Sequence, residues 1–120
     1  MKKYLITSGN LNNSLAFYHA FFDRMPVELN EQKMLFRTED FFLEVSEADH
    51  IHESTLTYQV HDEVKLASIH QRMNRFIRLG KLNNNCEYLG TSFGLVDPDG
   101  NRWKVGDPSE EVHYNKCYFN

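Results

Sequence analysis

Two histidines one residue apart form the arrangement in this sequence that most directly suggests metal chemistry. His50 and His52 are flanked by Asp49 and Glu53. Alternate residues of a strand face the same way, so two imidazoles at this spacing can converge on one ion. A zinc site needs at least three protein ligands, and no third ligand stands at a recognisable spacing. We therefore interpret residues 47–53 as a solvated connection between two halves of the chain.

A stripe of basic residues is the second candidate. Arg72, Arg75 and Arg78, followed by Lys81, recur every three residues in a predicted helix. Binding of nucleic acid needs a basic face, and single strands also need aromatic side chains on which bases stack. No aromatic residue interleaves on this stripe, and the chain carries 17 acidic against 13 basic side chains, a formal net charge of −4. We interpret the stripe as a solvated helix face and expect no nucleic acid as partner.

Other catalytic signatures are missing from the sequence. It contains no nucleophile elbow, no glycine-rich phosphate loop and no pair of carboxylates at catalytic spacing. Cys86 and Cys117 are the only cysteines, and they form no CxxC motif. No neighbouring His or Lys would activate Cys86, and this sparse cysteine usage predicts a reduced, cytoplasmic protein. No apolar run approaches the roughly 20 residues of a membrane span, so we expect no membrane partner.

Hydrophobic periodicity predicts the elements that must position any site. Helices are predicted at 11–23 and from 62 up to the glycine at 80, and strands at 3–8, 27–29, 33–37, 40–46, 54–60, 86–89, 91–96 and 101–106. Asn10, Asn12 or Asn13 would cap the first helix, and Asp62 the second. Asp97-Pro98-Asp99-Gly100 predicts a tight turn that joins the last two strands into a hairpin.

The order of these elements is a strand, a helix and three strands, and it occurs twice. It predicts an α+β fold with an internal duplication, two βαβββ modules in one domain spanning 1–120. The first module covers about 1–48 and the second about 52–107, and the residues from 108 to 120 form a C-terminal tail. The aromatic residues of this tail suggest that it docks on the domain.

Two motifs in this order resemble the vicinal oxygen chelate superfamily. They are Ser14-Leu15-Ala16-Phe17-Tyr18 in the first helix and Asp97-Pro98-Asp99-Gly100-Asn101-Arg102-Trp103 between the last two strands. The superfamily includes glyoxalase I, extradiol dioxygenases, fosfomycin-resistance enzymes and bleomycin-resistance proteins. The resemblance covers residues 3 to about 107 and implies that the two modules form curved sheets around a shared cleft.

The resemblance also implies four metal-ligand positions, usually His and Glu, on the first and last strands of each module. Counting from the two motifs places them at Lys3, Glu44, Thr55 and Lys104. Only Glu44 is a good ligand, because a lysine ammonium has no lone pair and threonine is a poor ligand for transition metals. We therefore expect no metal and no cofactor in the cleft.

The same positions suggest what replaces the metal. Lys3, Glu44 and Lys104 lie on the less apolar parity of their strands, and we predict that they face the cleft with Phe42, Thr55 and Thr57. Glu44 between the two lysines would form a cluster with a surplus positive charge. This cluster either attracts an anionic or polar ligand or acts as a salt bridge that fills a vestigial site.

Three functions follow from these observations. The leading one is a metal-independent protein that binds a polar or anionic small molecule and resembles the bleomycin-resistance proteins. An alternative is an enzyme of the same superfamily that acts without the metal, with Glu44 or Lys104 as general base. A third is an interaction module that uses the arginine stripe. Domains that resemble this one often form homodimers, and the Phe21-Phe22 pair, Trp103 and the tail offer apolar surface for one.

Overall fold

The structure, a computed structural model, describes residues 1–78 and 91–109, and its elements follow the predicted order. The helices are α1 (Leu11–Phe22) and α2 (Glu63–Arg78), and the strands are β1 (Lys2–Ser8), β2 (Glu28–Leu29), β3 (Lys33–Arg37), β4 (Phe41–Glu47), β5 (Thr55–Gln59), β6 (Ser92–Val96) and β7 (Arg102–Gly106). The predicted strand at 86–89, the helix stop at Gly80 and the tail beyond 109 lie outside the described residues.

The strands form two mixed sheets. The first has the order β1-β4-β3-β2, and the second, as far as the described residues extend, has the order β5-β7-β6. In each sheet the first strand pairs in parallel with the last strand of its half, β1 with β4 and β5 with β7. The remaining pairs are antiparallel. The predicted α+β class is confirmed, whereas the division into two βαβββ modules stays a prediction.

Both helices begin at side chains that accept hydrogen bonds from free backbone N–H groups. Asn10 is the N-cap of α1, and its Oδ1 accepts from the N–H of Asn13 at 3.1 Å. Asp62 Oδ1 accepts from the N–H groups of Val64 and Lys65 at 2.9 and 3.2 Å. Asn10 is therefore the cap among the three asparagines that the sequence allowed, and the predicted cap at Asp62 is confirmed.

One aromatic core joins the two sheets. On α1, Tyr18, Phe21 and Phe22 are almost completely buried. The Phe22 ring lies 5.5 Å from Phe36 in the first sheet, and the Phe21 ring lies 5.3 Å from Trp103 in the second. Because α1 packs against both sheets, their inner faces share a single core, and the remaining face of each sheet carries the polar residues. The predicted inward parity is confirmed for Ile6, Leu43, Val45, Leu56, Tyr58, Trp103 and Val105, all buried, and half-buried Tyr4 packs against them.

The hairpin between β6 and β7 is tied to α1 through a buried carboxylate. Asp97 Oδ2 accepts hydrogen bonds from Tyr18 Oη at 2.6 Å and from Asn101 Nδ2 at 2.8 Å. Its Oδ1 accepts from the backbone N–H groups of Asp99 and Asn101 at 2.9 and 2.8 Å. Trp103 Nε1 donates to Tyr18 Oη at 3.0 Å. The turn motif therefore fixes the second sheet to the helix of the first half.

Burial perturbs both titratable members of this network. Burial raises the pKa of Asp97 above its ordinary value, and the hydrogen bonds from Tyr18 and Asn101 oppose that shift. Burial, followed by the nearby charge of Asp97, raises the pKa of Tyr18 well above its usual value. A second carboxylate in the turn, Asp99, accepts from the Gly9 N–H at 3.0 Å. These groups hold the two halves together and lie away from the polar faces of the sheets.

Candidate ligand-binding face

The outer face of the first sheet, opposite the core, carries half of the predicted site, namely Lys3, Phe42 and Glu44. Pairing across β1, β4 and β3 arranges nine side chains in three rows: Lys3, Phe42 and Arg37; Leu5, Glu44 and Leu35; Thr7, Ser46 and Lys33. We call these nine residues the outer face. Leu5 is 65% exposed, so an apolar side chain stands open to solvent among charged ones.

Glu44 lies near the centre of the outer face and is held by two ammonium groups. Its Oε1 is 3.3 Å from Lys3 Nζ and 3.9 Å from Lys33 Nζ. The lysine side chains are about half exposed, at 50% and 49%, whereas that of Glu44 is 21% exposed. The carboxylate is therefore the most enclosed member of the cluster, and both lysines reach it from the solvent side.

The second lysine of this cluster differs from the predicted one. The sequence places Glu44 between Lys3 and Lys104, whereas the structure places Lys33 in that position. Lys33 pairs with Ser46, two residues from Glu44 on the neighbouring strand, so its side chain lies diagonally across from the carboxylate. Lys104 belongs to the other sheet.

The remaining predicted residues lie on the outer side of the second sheet. Thr57 pairs with Lys104 in register, and Thr55 pairs with Arg102. Lys104 Nζ donates a hydrogen bond to the carbonyl oxygen of Pro108 at 2.7 Å. The predicted set therefore separates into two groups, one per sheet. Among the described residues, no hydrogen bond or ion pair joins these groups.

A polar cavity of about 360 Å³ lies where the two sheets meet. Its lining includes Thr57 and Gln59 from β5, and Lys2, Tyr4 and Phe41 from the first sheet. Tyr4 Oη donates to the carbonyl oxygen of Thr57 at 3.3 Å, which bridges the two sheets. Of the predicted binding residues, only Thr57 lines this cavity.

The residues at the four implied metal positions do not fit a transition metal. Glu44 is the only carboxylate among them, and its Oε1 already faces two ammonium groups that would repel a cation. Lys104 offers a donor and no lone pair. Within residues 1–78 and 91–109, no group of three or more His, Cys, Asp or Glu side chains is placed to hold a metal ion.

The histidine pair and the basic stripe both lie outside the outer face. His50 and His52 are exposed in a connection without regular structure, and the backbone N–H of His52 donates to Thr7 Oγ1 at 3.3 Å. Arg72 is only partly exposed, so the interpretation of the basic stripe as a solvated helix face is wrong for this residue. Its Nε and Nη2 donate to the carbonyl oxygens of Ala20 and Phe21 at 2.9 and 3.1 Å, because α2 packs against the end of α1.

Sequence reasoning missed two cations of the outer face, Lys33 and Arg37. Both lie in a correctly predicted strand and share its outward parity, since Met34 and Phe36 between them are buried. The alternation of polar and apolar residues that places Lys33 and Arg37 on one face was therefore visible in the sequence of β3. Only the antiparallel register, which pairs Arg37 with Phe42, shows which site residues they approach.

Comparison with known proteins places this geometry in a fold. No model of a protein family matches the chain, and no curated protein matches it. Solved structures do match along most of their length. The lactoylglutathione lyase of Agrobacterium tumefaciens is 18% identical, with 90% of this chain and 92% of that one covered and a TM-score of 0.65.

Two further solved structures are similar to the same extent. The fosfomycin resistance protein FosX of Listeria monocytogenes is 15% identical, covers 96% of this chain and 95% of its own, and has a TM-score of 0.67. A bleomycin-binding protein in complex with bleomycin is 14% identical, covers 91% and 98%, and has a TM-score of 0.63. The chain therefore has the fold of these solved glyoxalase, FosX and bleomycin-binding proteins, which agrees with the fold that its two motifs imply.

Proposed function

We propose that the protein binds a polar or anionic small molecule on the outer face without a metal ion. The observation that carries this proposal is the pairing of Glu44 with Lys3 and Lys33. Across the nine residues of the outer face three cations meet one carboxylate, and Glu28 on the edge strand reduces the surplus from two positive charges to one. The chain as a whole carries a formal charge of −4, but the surplus on this face is positive and would draw an anion to it.

The fold supports binding of small molecules. One protein of this fold was solved in complex with bleomycin, the compound for which it is named. In the present chain, polar and apolar side chains alternate on an open sheet surface, which suits an amphipathic ligand. The second group of predicted residues, Thr55, Thr57 and Lys104, would extend the site only if another surface brought it near the first.

We infer that a homodimer supplies that surface. The predicted dimer surface at Phe21, Phe22 and Trp103 is wrong, because all three side chains are buried in the core, so the inference rests on the outer face instead. The inner faces of both sheets are occupied by the shared core, and the outer face of the first sheet lies on the surface of the single chain, where Leu5 is 65% exposed. A second copy that covers the outer face would bury Leu5 and enclose a ligand between two sheets. Sedimentation should show a dimer at high micromolar concentration, whereas a monomer would contradict this part of the proposal.

The enzymatic alternative gains no observation of its own. A general base needs a lone pair within reach of the proton that it removes. The Lys104 ammonium donates to a carbonyl oxygen, and Glu44 faces two ammonium groups.

Among the described residues, no helix is long and apolar enough to cross a membrane. A cytoplasmic location stays a proposal that rests on cysteine usage.

Binding in the presence of a chelator tests the proposal. The full chain, dialysed against EDTA, would be titrated with a library of small anions, cations and neutral compounds while its amide NMR signals are followed. We expect anions to shift the signals of Lys3, Phe42 and Glu44. Substituting both Lys3 and Lys33 by Met should weaken binding, whereas Arg75→Met on an exposed helix face should not. Binding that needs added metal, or ligands confined to other surfaces, would contradict the proposal.

A further inference from the structure

A row of three residues on the outer face combines an aromatic ring with a cation on each side. Phe42 on β4 pairs with Lys3 on β1 and with Arg37 on β3. Adjacent strands are about 4.8 Å apart, so the two cationic residues start about 10 Å from each other with the ring between them. The Arg37 guanidinium carbon lies 5.8 Å from the centre of the Phe42 ring.

The side chains of Lys3 and Arg37 differ in whether they pair with a carboxylate. Lys3 is engaged with Glu44. Arg37 is exposed and, within the described part of the chain, has no carboxylate within 4.0 Å. Its backbone is fixed, because Arg24 Nη1 donates to the Arg37 carbonyl oxygen at 2.8 Å. Among the described residues, the Arg37 guanidinium therefore lies over an aromatic ring and pairs with no carboxylate.

The surroundings of this fork define the shape that it would accept. A guanidinium donates two parallel hydrogen bonds to a carboxylate, a geometry that a lysine ammonium does not offer. Phe42 is half-buried, and Leu5 and Leu35 flank Glu44 in the next row, so three apolar side chains lie beside the cations. A flat ring placed on these side chains would bury apolar surface while its acid group meets the fork.

We infer that the ligand of the outer face is a planar aromatic carboxylate, with Arg37 as the residue that selects its acid group and Phe42 as the residue that selects its ring. This inference rests on the proposed function and narrows it. Lys3 and Lys33 contribute the attracting field, and Glu44 disfavours ligands with a second negative charge near the centre of the face.

Four small probes test the two halves of the inference separately. Benzoate carries both features, cyclohexanecarboxylate lacks the aromatic ring, benzamide lacks the charge, and benzamidinium reverses it. Each would be titrated into the full chain by protein-observed NMR in EDTA. Benzoate should bind most tightly and shift the amide signals of Arg37, Phe42 and Glu44. Cyclohexanecarboxylate should bind more weakly, and benzamide and benzamidinium should leave these signals unchanged.

Substitutions assign the roles of the two residues. Arg37→Met should weaken the affinity for benzoate by on the order of 10- to 100-fold, the range expected for the loss of a hydrogen bond to a charged group. Arg37→Lys, which keeps the charge and loses the fork, should recover only part of the affinity. Phe42→Leu should bring benzoate and cyclohexanecarboxylate to equal affinity. Arg75→Met is the matched control and should bind benzoate as the unmodified chain does.

The outcomes separate this inference from the function on which it rests. If benzamidinium or benzamide binds the outer face as well as benzoate, or if Arg37→Met leaves benzoate affinity unchanged, the inference is overturned and the proposed function stands. If no probe shifts the outer face at millimolar concentration while another library anion does, again only the inference falls. If no library compound binds there, both fall.

Discussion

Replacing Asp97 by asparagine changes one atom type in the buried network that joins the two sheets. The carboxylate accepts four hydrogen bonds, two at each oxygen, from Asp99, Asn101 and Tyr18. The amide oxygen of asparagine can keep the two backbone bonds, and the tyrosine hydroxyl can turn and accept. Asn101 Nδ2 cannot accept, so two N–H groups would face each other in the core.

The expected cost follows from that count. One buried donor left without a partner costs about 1 to 3 kcal/mol, which at this chain length lowers Tm by roughly 4 to 12 °C. Urea unfolding followed by circular dichroism measures the loss. Asp49→Asn, in an exposed connection, is the matched control and should change the free energy of unfolding by less than about 0.5 kcal/mol.

The pH dependence gives the prediction a second, independent arm. Burial raises the pKa of Asp97, so its carboxyl contributes stability that is present below the unfolded pKa and is lost as pH rises through the folded pKa. Asparagine does not titrate. The stability gap between the unmodified chain and Asp97→Asn should therefore widen as pH falls toward about 4. A variant as stable as the unmodified chain, or a gap that narrows in acid, would refute the reasoning.

Three further substitutions test the framework of the fold. Tyr18→Phe should lower the free energy of unfolding by about 1 to 2 kcal/mol at neutral pH. Because the pKa of Tyr18 is raised well above 10, the unmodified chain should lose stability relative to this variant above about pH 10, as alkaline denaturation curves would show. Arg72→Met should lower the free energy of unfolding by about 1 to 2 kcal/mol through the lost bonds to α1, and equal effects of Arg72→Met and Arg75→Met in urea would contradict that role. Gly106→Ala should cost at least about 1 to 3 kcal/mol, since φ is +117° and a Cβ would overlap the Thr91 carbonyl oxygen; a normal thermal melt would contradict it.

The sequence alone predicted the helices and strands of the described residues and the faces of β1, β4, β5 and β7. Alternation in β4 and β7 placed Leu43 and Trp103 on the face that packs against the helices and Glu44 and Lys104 on the opposite face, because one buried face imposes a period of two. The cap at Asp62 was readable for a similar local reason, since its side chain bonds residues two and three positions ahead. Local chemistry and burial therefore carried most of the fold.

What the sequence did not provide was the pairing between distant segments. Of the two predicted partners of Glu44, Lys3 is correct and Lys104 is wrong, because Lys33 reaches the carboxylate through the antiparallel register of β3 and β4. The role of Arg72 depended on the packing of one helix end against another, which no period within α2 encodes. The same holds for Arg37, whose place beside Phe42 follows from strand order and register.

The central claim is that the outer face binds its ligand with cations of the chain and not with a metal. Elemental analysis of the purified, dialysed protein tests it most directly. Specific sites for Zn, Ni, Fe or Mn combine three or four protein ligands, and Glu44 is the only one of its set, so we predict less than about a tenth of an equivalent of each metal. About one equivalent of any of them, lost on Glu44→Ala substitution, would contradict the account.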